Sequence, residues 1–160
     1  RILELCPANV VIVQPDGYNS MYATFGNLNR MLAAVHAECL EGLLKTVACD
    51  TAIADQFAAA TVLTTALRER GCRIRLVQRH RAESDMAVAA ASVIARREFV
   101  RAMDELSASA GIVLPKGSSD PAVIATAATI LRRGGRGELA RYAKLHFAIT
   151  EKAFPGGDSD

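Results

Sequence analysis

Two acidic residues, Asp55 and Glu83, stand where a chemically active site is expected. Asp55 directly follows a short predicted strand at residues 51–54, and Glu83 comes shortly after another at residues 73–77. In an open α/β sheet, ligands gather outside the carboxyl ends of the strands, so both side chains are expected at one edge of the sheet. Carboxylate oxygens suit Mg²⁺ or Mn²⁺, and two metal ions held by several such groups can clamp the oxygens of a phosphodiester. The pair therefore points to metal-dependent phosphodiester chemistry.

Each carboxylate also has an ordinary structural explanation. Asp55 can cap the helix that follows it, and Glu83 can offset the dipole of the Ala-rich helix that begins nearby. Taken singly, these structural roles are the favoured interpretation. The expected meeting of the two side chains at neighbouring strand ends is what favours a shared site.

Basic residues are the second group of candidates, as contacts to a phosphate backbone. Lys116 lies in a Gly-containing loop near a predicted helix start, where an ammonium group can meet a backbone oxygen; a solvated loop lysine is the alternative. Arg79 and Arg81 end a basic stretch that begins at Arg68, for which a solvated face is the alternative. We therefore expect a local basic patch rather than a basic protein.

Lys144 and His146 lie two residues apart, so on a helix they would point to different sides. Lys144 is a candidate nucleic-acid contact, and His146 is interpreted as a packed imidazole rather than a catalytic one. Tyr18 and Asn19 are interpreted as a packed tyrosine and an asparagine that closes a turn.

Composition limits the protein class. The chain has 160 residues, 51% hydrophobic and 22% charged, with a net charge of +2, which indicates one globular domain without strong global attraction for nucleic acid or membrane. The four cysteines show no C-x-x-C spacing and are interpreted as reduced thiols. No apolar run has the length of a membrane span and no signal peptide is evident, so we expect a cytoplasmic protein. Because the chain opens at Arg1 without an initiator Met, we expect a piece of a longer protein.

The apolar pattern predicts the elements that must position these residues. Strands are expected at 10–13, 51–54 and 73–77, with a turn at 14–17. Helices are expected at 28–45 with Asn27 as cap, 58–70, 84–106 with Ser84 as cap, 121–134 with Asp120 as cap, and 137–147. The prediction is an α/β fold with a mainly parallel or mixed sheet flanked by helices and a helical C-terminal part.

Several runs resemble bacterial ribonuclease HIII, a type 2 ribonuclease H, across residues 9–150. They are Y-N at 18–19, N-L-N-x-x-L-A at 27–33, D-Q-F-A at 55–58, A-E-S-D-M-A-V-A-A-A-S-V-I-A-R at 82–96, L-P-K-G-S-S at 114–119 and A-K-L-H-F at 143–147. The resemblance implies an RNase H-like fold and cleavage of the RNA strand of an RNA/DNA hybrid, with Mg²⁺ or Mn²⁺, to leave 3′-hydroxyl and 5′-phosphate ends.

The resemblance also implies which residues act. Members of this family use four acidic residues; Asp55 matches the third and Glu83 the fourth, as catalytic and metal-binding residues. The first two belong to a G-x-D-E-x-G-type motif on an opening strand, and no such motif occurs in this sequence. We therefore expect residues 1–150 to be the larger, C-terminal part of an RNase H-like catalytic domain without its opening strands, and 151–160 a flexible tail. The alternative is an incomplete fragment or a nucleic-acid-binding module. Neither a small-molecule cofactor nor a membrane partner is expected.

Overall fold

The computed structural model of the chain describes residues 1–117 and 121–154. In chain order the helices are α1 (Ile2–Leu5), α2 (Pro15–Phe25), α3 (Leu28–Leu44), α4 (Ala60–Glu69), α5 (Met86–Ala110), α6 (Ala122–Ala140) and α7 (Ala148–Glu151). The strands are β1 (Thr51–Asp55) and β2 (Arg75–Arg79), and a 3-10 turn covers Ala82–Ser84. In the part of the chain that is described, no helix is both long and apolar enough to cross a membrane.

The chain forms two compact units. One contains Arg1–Ile12 and Phe25–Arg97 and carries both strands; we call it the sheet unit. The other contains Val13–Thr24 and Glu98–Asp160 and is called the helical unit.

The two strands of the sheet unit pair in parallel, with Thr51 opposite Arg75 and Asp55 opposite Arg79. Parallel strands need a crossover connection, which α4 supplies. The strand predicted at 51–54 is confirmed, whereas the one predicted at 73–77 begins two residues later. The reason is the C-terminal end of α4, where the Cys72 amide still donates to the Leu67 carbonyl. Pairing of the two strands begins only where the Arg75 amide donates to the Asp50 carbonyl.

Small side chains make the core of the sheet unit. Ala33 and Ala37 of α3 pack against Leu63 and Leu67 of α4, and residues of both strands pack against this cluster. The predicted helix at 28–45 is confirmed, with the Asn27 Oδ1 accepting from the Arg30 amide at 3.0 Å. The buried positions of α3 are these two alanines together with Met31. Alanines bring helices closer than larger side chains do.

The strand predicted at 10–13 is wrong. Residues 7–14 have no regular secondary structure, and their first part is held to α3 by a side chain: the Asn9 Nδ2 donates to the Cys39 carbonyl at 2.8 Å. The turn predicted at 14–17 is also wrong, because Pro15 begins α2. Proline is favoured in the first helical turn, where its missing amide costs nothing.

The start of α5 differs from the prediction in its cap. Ser84 belongs to the 3-10 turn, and the Asp85 Oδ1 accepts from the Ala87 amide at 2.9 Å. The helix predicted at 84–106 therefore exists, but it runs from Met86 to Ala110. The Asp120 cap proposed for α6 lies outside the described residues.

The helical unit is built around Ala110, Leu114, Ile130 and Leu139. Helix α6 loses helical geometry at Gly134 and Gly135, as the sequence predicts, and Gly135 has a φ of +67° that favours glycine. The helix predicted at 137–147 is mostly wrong, since helical structure ends at Ala140.

The first residues of the predicted tail, 151–154, are described by the structure. Glu151 ends α7, and Phe154 packs against the core of the helical unit. The remaining tail residues, 155–160, lie outside the described residues.

The packing of α3 on α4 predicts a large difference between two leucines. Leu63 is 1% exposed and Leu5 is 84% exposed. Leu63→Ala should lower the free energy of unfolding by about 2–5 kcal/mol, because it removes buried methyl groups and leaves a cavity. The matched Leu5→Ala should stay within about 0.5 kcal/mol. Urea unfolding of both variants measures the difference, and equal losses would contradict this core assignment.

Candidate metal and nucleic-acid site

Asp55 ends β1 and is joined by its side chain to the turn that carries Glu83. The Asp55 Oδ1 accepts a hydrogen bond from the Ala82 amide at 3.2 Å, and Glu83 is the next residue along the 3-10 turn. The Gln56 amide also donates to the Arg79 carbonyl at 3.2 Å, which continues the pairing beyond the strand ends. The two predicted site residues therefore lie at the same edge of the sheet.

The helix-cap interpretation of Asp55 is wrong, and Glu83 is not the acceptor at the start of helix α5. Helix α4 begins after Ala59 with no side-chain cap, so the Asp55 carboxylate is bonded to the turn rather than to that helix. The acceptor at the start of α5 is Asp85, and Glu83 lies before the helix, exposed to solvent. Both candidate carboxylates thus keep oxygen atoms available for a ligand.

Arg81 shapes the connection between β2 and the turn. Its φ of 55° and ψ of 45° are left-handed, and it is the one residue other than glycine with positive φ within residues 1–117 and 121–154. A non-glycine residue in this region is strained. The strained backbone reverses the chain directly after β2, which brings Ala82 back to Asp55.

Arg79 and Arg81 lie at the same edge as the two carboxylates. Arg79 is opposite Asp55 in the sheet, and its Nη2 lies 3.5 Å from the Asp85 Oδ2. Arg81 is exposed. The arginines of the basic stretch differ in how available they are to a phosphate group, because Arg70 is already paired with Glu38 and Glu41 of α3.

The acidic set at this edge is small. Throughout the described ranges, no three His, Cys, Asp or Glu side chains come together in a group that could hold a metal ion. Asp55 and Glu83 have the hard oxygen donors that Mg²⁺ and Mn²⁺ prefer, but such ions bind firmly only where several ligands converge. The residues present thus fit one part of a metal site.

Lys116 belongs to the helical unit. Its Nζ lies 3.0 Å from the Asp104 Oδ1 of α5, and the next residue, Gly117, has a φ of +117°. The predicted loop position is therefore confirmed, although the ammonium group already has an acidic partner. Residues 118–120, which precede α6, are outside the described part of the chain.

Lys144 and His146 converge on one tyrosine rather than diverging. Residues 141–147 form turns instead of the predicted helix, and the Lys144 Nζ lies 4.4 Å from the centroid of the Tyr18 ring. The His146 ring stacks on Tyr18 at 5.5 Å and on Tyr22 at 3.9 Å between centroids. Burial lowers the pKa of Lys144, and burial together with Lys144 lowers the pKa of His146. The packed interpretation of His146 is confirmed.

Asn19 binds the backbone of these turns, with partners that the sequence does not predict. Its Nδ2 donates to the carbonyls of Ala140 at 3.0 Å and Ala143 at 2.9 Å, and its Oδ1 accepts from the Leu145 amide at 2.9 Å. These bonds replace those that a continued α6 would make. Asn19 lies within α2, so the predicted turn-closing role is wrong; the pairing spans more than 120 residues and leaves no local pattern.

Comparison with known proteins adds independent information. The family model described as ribonuclease HII matches residues 5–150. Ribonuclease HIII of Protochlamydia amoebophila is 42% identical over 151 residues, which cover 94% of this chain and 50% of that protein. Ribonuclease HIII of Chlamydia muridarum is 42% identical over 148 residues, covering 91% of this chain and 49% of that protein. The chain spans about half the length of the curated relatives it matches.

Solved structures show the same relationship. A crystal structure of a mutant of Bst-RNase HIII has a TM-score of 0.85 and 33% identity, covering 94% of this chain and 51% of that one. Bst-RNase HIII in complex with Mn²⁺ has a TM-score of 0.82 and 33% identity, covering 91% and 49%.

These likenesses confirm the predicted RNase H-like fold, here rich in helices with a small parallel sheet. The family match extends over nearly the whole chain. The relatives named above are ribonucleases HIII, as the resemblance of the sequence implied. The chain belongs to the ribonuclease HII family.

Proposed function

We propose that this chain is the larger part of the catalytic domain of a metal-dependent endoribonuclease that cleaves the RNA strand of RNA/DNA hybrids, leaving 3′-hydroxyl and 5′-phosphate ends. The observation that carries the proposal is the hydrogen bond from the Ala82 amide to Asp55, in a chain of the ribonuclease HII family. This bond holds the strand end that bears one carboxylate against the turn that bears the other.

Mg²⁺ or Mn²⁺ is the proposed cofactor, with Asp55 and Glu83 among its ligands. Support comes from the donor chemistry of the two side chains and from the Mn²⁺ complex of Bst-RNase HIII. When bound, such ions activate water and neutralise charge on the reacting phosphate. The part of this chain is to hold two carboxylates in place: the Ala82 amide engages one oxygen of Asp55, which fixes the direction in which the other oxygen points.

Arg79, Arg81, Lys116 and Lys144 are the proposed contacts to the hybrid backbone. Contacts to phosphate oxygens set the position and orientation of a nucleic acid without reading its sequence. Arg79 and Arg81 lie at the sheet edge with the carboxylates, where they can hold a backbone beside the cleaved bond. The two lysines belong to the helical unit and are proposed as more general contacts.

The remaining metal ligands are proposed to come from outside these 160 residues, because two carboxylates at the sheet edge are too few for a two-metal clamp. A catalytically incomplete fragment, or a nucleic-acid-binding module of the same fold, is therefore the second candidate. Within the described ranges no three potential ligand side chains come together, which favours this second candidate for the chain alone. Residues 1–150 are the proposed domain, and the cytoplasm is the proposed location.

The first test compares the 160-residue chain with a longer protein that includes the remaining half of the relatives' length. A labelled RNA/DNA hybrid is incubated with each, in Mg²⁺ and in Mn²⁺. We expect little or no cleavage by the chain alone and robust cleavage by the longer protein, because several ligands must converge on the ions. Robust cleavage by the short chain that is abolished by Glu83→Gln would mean that another acid at this edge of the sheet, such as Asp85, completes the site.

A second test removes one charge in the longer protein. Asp55→Asn keeps the side-chain shape but removes a charge that the ions need, so turnover should fall by at least about a hundredfold while the fold survives. Asp50→Asn is the matched control, since Asp50 precedes the opposite end of β1, about 16 Å away along the strand. Single-turnover cleavage rates and thermal melts measure both effects. Near-normal cleavage by a folded Asp55→Asn variant would rule out the assignment.

The third test concerns Lys116. If it contacts a phosphate, Lys116→Ala should lower the slope of log affinity against log salt by about 0.7–0.9, because fewer counterions are released on binding. Lys45→Ala is the control, because Lys45 is paired with Glu41 in the sheet unit and is not proposed as a contact. Fluorescence anisotropy with a labelled hybrid gives the slopes. An unchanged slope for Lys116→Ala would count against the contact.

A further inference from the structure

The side chain of Lys144 has a different kind of partner from those of Lys45 and Lys116. Lys116 and Lys45 are paired with the carboxylates of Asp104 and Glu41. For Lys144 no ion pair with a carboxylate is found within residues 1–117 and 121–154, and its ammonium lies over the Tyr18 ring instead. An aromatic face attracts a cation without neutralising its charge. The charge of Lys144 thus remains available to an anion.

The backbone on both sides of Lys144 is fixed. The Ala143 carbonyl accepts from Asn19 Nδ2, and the Leu145 amide donates to Asn19 Oδ1. The Lys144 carbonyl itself accepts from the Thr150 Oγ1 at 3.1 Å, and Thr150 is buried. The start of this long side chain therefore has a set position.

The ring beneath the ammonium is equally fixed. Tyr18 is 5% exposed, and its ring stacks on those of His146 and Tyr22. Its hydroxyl, however, is buried and has no hydrogen-bond partner in the described structure. A buried hydroxyl without a hydrogen-bond partner is unfavourable, so the hydroxyl group of Tyr18 contributes no stabilising interaction here. What Tyr18 supplies to its neighbours is the ring face.

We infer that Tyr18 is a positioning residue for Lys144, whose ammonium it holds ready for a phosphate of the nucleic-acid substrate. The inference rests on the proposed function. A mobile lysine side chain loses conformational entropy when it binds a phosphate. A lysine side chain that already lies on an aromatic face loses less conformational entropy on binding. The ring thereby raises affinity without touching the nucleic acid.

The experiment varies the ring face at constant shape. Tyr18 is replaced by phenylalanine and by phenylalanines that carry one, two or three ring fluorines, which progressively withdraw electron density from the ring face. Hybrid binding to the 160-residue chain is measured by fluorescence anisotropy without divalent ions. We expect Tyr18→Phe to bind as the unaltered chain does. The most fluorinated variant should bind about twofold to fivefold more weakly.

Two controls separate positioning from general packing. In a Lys144→Ala background, hybrid affinity should not change with the number of fluorines on residue 18, because the cation that the ring face attracts has been removed. The same fluorinated replacements at Tyr142, in the otherwise unaltered chain, should also leave hybrid affinity unchanged. Its ring lies 5.5 Å from the Arg141 guanidinium, whose charge is already paired with Glu138. Thermal melts of every variant report whether the fold is retained.

The outcomes distinguish the inference from the proposed function. Affinity that falls with fluorination only when Lys144 is present supports the inference. Affinity that is unchanged, that rises, or that falls equally in the Lys144→Ala background overturns it while hybrid binding stands. If the unaltered chain binds no hybrid at any salt concentration, the proposed substrate contact and the inference both fail.

Discussion

The parallel pairing of β1 with β2 is the constraint on which the candidate site depends. Because the strands run in the same direction, with Asp55 opposite Arg79, both carboxyl ends reach one edge. The crossover that parallel pairing requires is α4, and its leucines pack on the alanines of α3. The bond from the Ala82 amide to Asp55 then fixes the chain that follows β2. A shift of β2 by one residue would turn its side chains to the opposite faces and break this arrangement.

The basic side chains fall into three groups according to the partner of the charged group. Arg70 is bound by two glutamates, so its charge is compensated and its role is structural. Lys116 and Arg79 each have one acidic partner at the surface, an interaction worth about 0–1 kcal/mol that a phosphate can displace. The Lys144 ammonium lies over an aromatic ring, and no carboxylate partner is found for it within the described residues. The availability of the positive charge to an anion therefore differs among residues that look alike in the sequence.

The family could be read from the sequence because its signals are local. The run from Ala82 to Arg96 is continuous, and the β-branched or apolar run before Asp55 predicts a strand that the structure confirms. The Asn27 cap and the Gly134–Gly135 break are likewise encoded within a few residues. Such features follow from backbone preferences that do not depend on distant contacts.

The rest was decided by contacts between residues far apart in the chain. The run 10–13 has strand-forming residues, but residues 1–117 and 121–154 provide no partner strand for it, and a strand without a ladder leaves its amides unpaired. Residues 141–147 look helical, yet Asn19 takes the hydrogen bonds that a helix would need and turns Lys144 and His146 toward Tyr18. Asp55 looks like a helix cap, but its carboxylate is bonded 27 residues away. In each case a polar group satisfied by a distant partner outweighs a weak local preference, and only the tertiary structure identifies that partner.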